Sequence, residues 1–162
     1  MKLDIGFDGP VQIRKVALPE LVSSGISILY LSDFHFNRYS RHLANRLIKL
    51  VDAVQPDILL LGGDYADTRA GLMHFESFLA VTRGLATYAV AGNHDYFFGL
   101  ARVRESLEKR GVRWLEKEGA VLHLNDRTVA IDGNCFQHTP ADYRILCLHK
   151  PVRVPLTATY HL

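Results

Sequence analysis

Short apolar runs alternate along the chain with longer stretches in which apolar residues recur every three or four positions. Residues 26–31 (ISILYL), 58–61 (ILLL), 87–91 (TYAVA) and 144–148 (RILCL) are the runs. They are too short for helices, and each predicts a strand buried on both faces. A further run over 11–17 (VQIRKVA) predicts an edge strand. Three segments follow the helical period instead. A helix over 41–54 would place Leu43, Leu47, Leu50, Val51 and Val54 on one face, with Ser40 positioned to cap it and Pro56 to stop it. A second helix, over 71–83, runs through Leu72, Phe75, Phe78 and Leu79. A third, over 100–110, carries Leu100, Val103 and Leu107, with Gly111 just past its end. Beyond that glycine the period falls to two. Residues 112–115, 120–124 and 127–132 read as short strands, with Asn125-Asp126 as a hairpin turn. The order predicts an α/β fold of layered mixed β-sheets flanked by helices, in a single domain over 1–162 with no repeat and no linker.

Composition narrows the classes of function. With 48% hydrophobic and 22% charged residues, the chain has the make-up of a folded domain with a real core. The net charge of +2 comes from scattered Lys and Arg, so no nucleic-acid partner is expected. The longest apolar runs fall far short of the ~20 residues that span a bilayer, so no transmembrane segment is expected. No apolar leader follows Met1. The expected location is cytoplasmic, with attachment at a membrane face left open. Cys135 and Cys147 form neither a CxxC pair nor a zinc spacing, and both read as small core residues.

Candidate chemistry appears when each buried run is read one step further. After 26–31 come Ser32-Asp33-Phe34-His35, and after 58–61 come Gly62-Gly63-Asp64-Tyr65-Ala66-Asp67. After 87–91 come Gly92-Asn93-His94-Asp95, and after 144–148 come His149-Lys150-Pro151. In open α/β sheets, sites form at the carboxyl ends of the strands. Parallel neighbours would bring these sequence-distant side chains together. Mixed carboxylate, amide and imidazole donors suit Mn, Fe, Zn or Co better than calcium or a thiolate metal. A carboxylate such as Asp64 can bridge two ions, and a pair of ions can activate water for in-line displacement at phosphorus.

These residues resemble the signature of the calcineurin-like metallophosphoesterases: D-x-H at Asp33 and His35, G-D-x-x-D at Gly63 to Asp67, G-N-H-D at Gly92 to Asp95, and a later His after a strand at His149. The resemblance covers residues 11–151. Within the family, SDFH, PDILLLGGDYAD and YAVAGNHDYFFG are most similar to the bacterial branch of YaeI-type phosphodiesterases. The resemblance implies two divalent metal ions. Asp33 and His35 would hold the first, Asp64 would bridge, and Asn93 and His149 would hold the second. His94 would act as the catalytic residue at the leaving-group oxygen, with Asp95 orienting its ring. It also implies a phosphate-ester substrate. Because some relatives cleave the pyrophosphate of a nucleotide-linked lipid, such a lipid is one expected partner. Asp67 reads as a loop hydrogen-bonder, Arg38 as a solvated residue or a phosphate contact, and Tyr96, Phe97 and Phe98 as groove lining or packing. His42, His74, His123 and His138 read as surface residues.

The family's last motif, G-H-x-H, has no counterpart here. His161, in Thr-Tyr-His-Leu, reads as a tail residue, and 152–162 as an atypical tail. The expectation is a C-terminally truncated fold whose ligand set lacks one His per metal. It would expose a sheet edge open to self-association. The leading function is metal-dependent hydrolysis of a phosphodiester or pyrophosphate by a metal-activated water. The alternatives are an inactive relic or binding module that keeps the fold, or a partial enzyme completed by another chain.

Overall fold

The computed structural model describes residues 16–17, 25–134, 136–137, 139–150 and 159–162. Most of the strand expected over 11–17, together with Cys135 and His138, lies outside the described residues. Four strands, β1 (Ile28–Leu31), β2 (Ile58–Leu61), β3 (Ala86–Ala89) and β4 (Arg113–Trp114), form a parallel sheet in the order β1-β2-β3-β4. A second sheet has the order β5 (Ala120–Leu124), β6 (Arg127–Asp132), β7 (Tyr143–Leu146). In it β5 and β6 are antiparallel and β6 and β7 are parallel. Four helices complete the described chain: α1 (Arg41–Val54), α2 (Arg69–Phe78), α3 (Asn93–Phe98) and α4 (Leu100–Glu108), with a 3-10 turn at Leu79–Thr82.

The Ile-Leu-Leu-Leu run of β2 organises the layers. Successive side chains on a strand point to opposite faces. Leu59 and Leu61 pack with Leu31, Ala89, Leu47 and Val51 of α1, Phe75 and Phe78 of α2, and Val103 and Leu107 of α4. Ile58 and Leu60 pack with Tyr88, Val129, Ile131, Tyr143, Ile145 and Cys147. Helices thus cover one face of the parallel sheet and the second sheet covers the other. Both faces are dry, as the unbroken apolar runs require, and each fully buried aliphatic side chain contributes about 1.5–3 kcal/mol.

Register decides where the loops emerge. Ile28 pairs with Ile58 and Ile58 with Ala86; Leu31 pairs with Leu61 and Leu61 with Ala89. The three strands end level, so the segments after Leu31, Leu61 and Ala89 leave the sheet side by side. Their backbones stay joined past the strand ends. Gly62 N–H donates to Leu31 O at 2.8 Å, Asp33 N–H to Gly63 O at 3.0 Å, His35 N–H to Asp64 O at 2.9 Å and Phe36 N–H to Tyr65 O at 3.0 Å. Tyr65 ties the same edge from beneath. Its ring is fully buried, and its hydroxyl lies 2.8 Å from Leu61 O and 2.7 Å from Val90 O. Burial pushes its pKa well above the usual phenol value, so the group remains a neutral donor.

Local expectations differ from the structure in four places. The buried stripe of α1 is Ala44, Leu47 and Val51, while Leu43 and Leu50 are half-buried and Val54 is exposed, because only the narrower stripe meets the sheet. Ser40 occupies the N-cap position, yet its hydroxyl accepts from Asn37 N–H at 3.0 Å rather than from the helix. Helix α2 begins earlier than 71, because the Thr68 side chain accepts from Gly71 N–H, and its last turn tightens to 3-10. The segment after β3 is not a loop: α3 starts at Asn93 itself. The hairpin turn falls where expected, with both Asn125 (φ 48°) and Asp126 (φ 60°) left-handed, the geometry that twists β5 onto β6. Among the described residues no helix is long and apolar enough to cross a membrane.

Replacing Tyr65 by Phe keeps the ring and removes the hydroxyl that holds the ends of β2 and β3. The expected loss is about 1–2 kcal/mol of folding stability, read as a lower denaturation midpoint at unchanged m-value.

Candidate metal centre

Three of the polar residues at the level edge are held in a conformation the backbone resists. Asp33 (φ 58°), His35 (φ 45°) and Asp64 (φ 57°) all lie in the left-handed region, which is sparsely populated for residues with a side chain. The ladder between 31–36 and 62–67 imposes it. Gly92 allows the third loop to close on the second, since a Cβ there would land on the Asp64 amide and carboxylate.

Asp95 locks this contact. The residue is fully buried, and its carboxylate accepts from Asp64 N–H at 2.9 Å, Tyr65 N–H at 2.9 Å and Gly92 N–H at 2.8 Å. Burial raises its pKa from the ordinary carboxyl value. The three amides pull it back down, and the charge of Asp64 adds to the rise. This corrects the role expected from the sequence: Asp95 grips backbone and does not orient the His94 ring. That contact belongs to Asp67, whose Oδ1 lies 3.2 Å from His94 Nδ1 and 3.1 Å from His35 Nδ1.

Around Asp64 the donors converge. Its side chain is nearly fully buried; Oδ1 accepts from His94 N–H at 2.8 Å. Oδ2 lies 3.6 Å from His35 Nε2 and 3.3 Å from His149 Nε2. His149 arrives from the second sheet, three residues past β7, where Tyr30 O–H donates to Leu148 O at 3.2 Å across the layers. The strand before His149, β7, is therefore not a neighbour in the parallel sheet, as the sequence suggested; face-to-face packing delivers its ligand. His149 Nδ1 lies 2.8 Å from Gly62 O, and Nε2 lies 3.1 Å from Asn93 Oδ1. A carbonyl only accepts, so Nδ1 carries a proton, and on a singly protonated ring the Nε2 lone pair would face two oxygens. A cation among these three acceptors satisfies them. That donor chemistry fits a divalent metal, and Asp33, Asp64 and His149 offer ligand atoms all within 4.8 Å of one another. Asp33 is exposed, and its carboxylate also accepts from the Ser32 hydroxyl.

The remaining candidates separate cleanly. His161 is not at this edge. Its N–H donates to Arg144 O at 2.8 Å, its Nδ1 accepts from Arg144 N–H at 3.0 Å, and Leu162 O accepts from Leu146 N–H at 2.8 Å. Residues His161 and Leu162 thus cover an edge of β7. Arg38 is exposed with its guanidinium 4.6 Å over the Tyr39 ring. His42 and His123 are exposed, and His74 is half-buried. The aromatic run divides: Phe98 packs on the helical core, while Tyr96 and Phe97 are exposed on α3. Cys147 is buried, and burial pushes its thiol up to about 12, so it stays protonated and inert. Sequence reasoning undervalued Asp67, although its fixed place three residues after Asp64 was the available signal.

An α/β layered fold with an Asp, Asn and His cluster at the carboxyl edge of parallel strands defines a protein built around a metal-type centre. The chain belongs to the calcineurin-like phosphoesterase family, whose sequence profile matches residues 26–161. It is 32% identical over 114 residues to Phosphodiesterase YaeI of Escherichia coli K12, an alignment covering 65% of this chain and 42% of that protein. It is 33% identical over 101 residues to an uncharacterized metallophosphoesterase of Aquifex aeolicus, covering 60% of this chain and 39% of the other. A transmembrane protein with a metallophosphoesterase domain from Danio rerio is 28% identical over 124 residues, covering 73% of this chain and 28% of that one. The alignments span less than half the length of each of these relatives.

The two carboxylates should behave differently on removal. Asp95→Ala orphans three buried amides at about 1–3 kcal/mol each, so a marked fall in denaturation midpoint is expected, with loss of metal binding in calorimetry. Asp67→Asn, on a partly exposed side chain, should leave the midpoint within about 0.5 kcal/mol of the parent.

Proposed function

We propose that this chain carries the site of a metal-dependent phosphohydrolase that cleaves a phosphodiester or pyrophosphate bond with water as the attacking group. The observation that carries the reading is the Asp64 carboxylate. One buried oxygen faces imidazole nitrogens from two sheets, His35 at 3.6 Å and His149 at 3.3 Å, as a bridging ligand does. Asp33, His35 and Asp64 would hold one divalent ion, and Asp64, Asn93 and His149 a second, drawn from Mn, Fe, Zn or Co. Bound there, such a pair supplies Lewis-acid activation of water and neutralises charge on the phosphoryl oxygens.

The chain's own groups do the rest. The α3 amide of His94 fixes Asp64 Oδ1, so the bridging oxygen is held still. Asp67 Oδ1 fixes the His94 ring through Nδ1, which leaves Nε2 to hold the proton given to the leaving oxygen. His94 is half-exposed, open to a substrate approaching the edge from solvent. Three protein donors per ion leave positions for water and substrate, as at other catalytic metal sites. A nucleotide-linked lipid is one phosphate ester that would suit this chemistry.

The protein purified with Mn²⁺ should hydrolyse bis(p-nitrophenyl) phosphate and hold about two metals per chain, with turnover lost in Asp64→Asn. Failure to retain any divalent metal, or turnover unchanged in Asp64→Asn, would overturn the reading. Bound metal without hydrolysis of any phosphate ester would favour a binding module that keeps the fold. His94→Gln is expected to lower kcat by about 10²–10⁴ while the tightly bound metal stays in place, a split read by assay and metal analysis on one sample.

A further inference from the structure

His35 has two ring nitrogens, and they face different carboxylates. Nε2 lies 3.6 Å from Asp64 Oδ2, toward the buried centre. Nδ1 lies 3.1 Å from Asp67 Oδ1, which is itself 3.2 Å from His94 Nδ1. The two imidazole rings stand edge to face with centroids 4.6 Å apart. The three donor atoms of His35, Asp67 and His94 all lie within 4.8 Å of one another.

Two N–H groups sharing one carboxylate oxygen would satisfy this cluster, but its dimensions also fit a metal. Donors held at tetrahedral angles by bonds of about 2.0–2.1 Å stand about 3.3 Å apart, close to the spacings here. Two imidazoles and one carboxylate are donors for a borderline d-block ion and poor ones for Mg²⁺ or Ca²⁺. The side chains are 35%, 33% and 49% exposed for His35, Asp67 and His94, so an ion can enter from solvent and keep water in its open positions.

We propose that His35 Nδ1, Asp67 Oδ1 and His94 Nδ1 form a further, solvent-facing metal position for an ion of the zinc type, outside the two-ion centre, and that filling it disarms the phosphohydrolase site. A neutral imidazole has one proton. When His35 serves the inner centre through Nε2, its Nδ1–H donates to Asp67. When Nδ1 takes the outer ion, the proton moves to Nε2, which then faces Asp64 as a donor and no longer as a ligand. The outer ion also takes the His94 nitrogen that Asp67 otherwise orients. A ring that keeps its proton has one lone pair and cannot ligate on both sides, so the outer ion competes with the inner centre. The disarming rests on the function proposed above; the binding position does not.

The test is titration of the metal-free protein with Co²⁺, followed by its d–d absorption, and with Zn²⁺, followed by calorimetry. The chain and its Asp67→Asn, His94→Gln and Asp64→Asn variants are compared, each checked for an unchanged far-ultraviolet spectrum. Two phases are expected in the parent. The weaker phase should be lost or weakened about tenfold or more in Asp67→Asn and His94→Gln, kept in Asp64→Asn, and absent with Mg²⁺. A weaker phase unchanged in both Asp67→Asn and His94→Gln, or lost in Asp64→Asn, overturns the position. In the parent, hydrolysis of bis(p-nitrophenyl) phosphate should fall as Zn²⁺ fills the weaker phase, and constant hydrolysis through that range overturns the disarming. A weaker phase with no hydrolysis at any metal level would overturn the phosphohydrolase reading and the disarming together, and leave the position standing.

Discussion

A buried carboxylate held by backbone amides is a costly thing to place in a core, and the rest of the site depends on one. Asp95 is fully enclosed and is compensated by three backbone amides, those of Asp64, Tyr65 and Gly92. Those amides belong to two different strand-end loops. The bond set therefore fixes the distance between the loop that carries Asp64 and the helix that carries Asn93 and His94. It also holds Asp64 in a left-handed conformation the residue would otherwise leave.

Register and layering supply the remaining order. Three parallel strands end level, so Asp33, Asp64 and Asn93 leave the sheet as neighbours. His149 comes from the opposite layer, and its ring bridges the two sheets between Gly62 O and Asn93 Oδ1. The site sits at the seam between the layers. One wall is a rigid parallel sheet, and the other is the end of β7, whose far edge is covered by Leu162 and His161.

His35, Asp67 and His94 form the more open half of the centre, and there one ring can serve two carboxylates. The buried half, Asp64 and His149, has fixed partners on every side. A site of this kind has a buried interior and a solvent-facing rim.

By itself the sequence determined most of the described strands and helices, because the apolar runs and the three-to-four spacing report burial directly, but not α3, which begins on the Gly-Asn-His-Asp segment. It also determined that Asp33, His35, Asp64, Asn93 and His149 would emerge at one edge, because each follows a buried strand. Tertiary structure decided what those residues touch. Asp95 and Asp67 are both acids a few positions from His94 or Asp64, and nothing in their spacing tells a backbone grip from a ring contact. Only the closing of the Gly92 loop on Asp64 put Asp95 against the amides and left Asp67 beside the two imidazoles. The same holds for β7: an apolar run announces a buried strand, but whether it joins the first sheet or faces it depends on contacts between residues far apart in the chain, which local pattern does not encode.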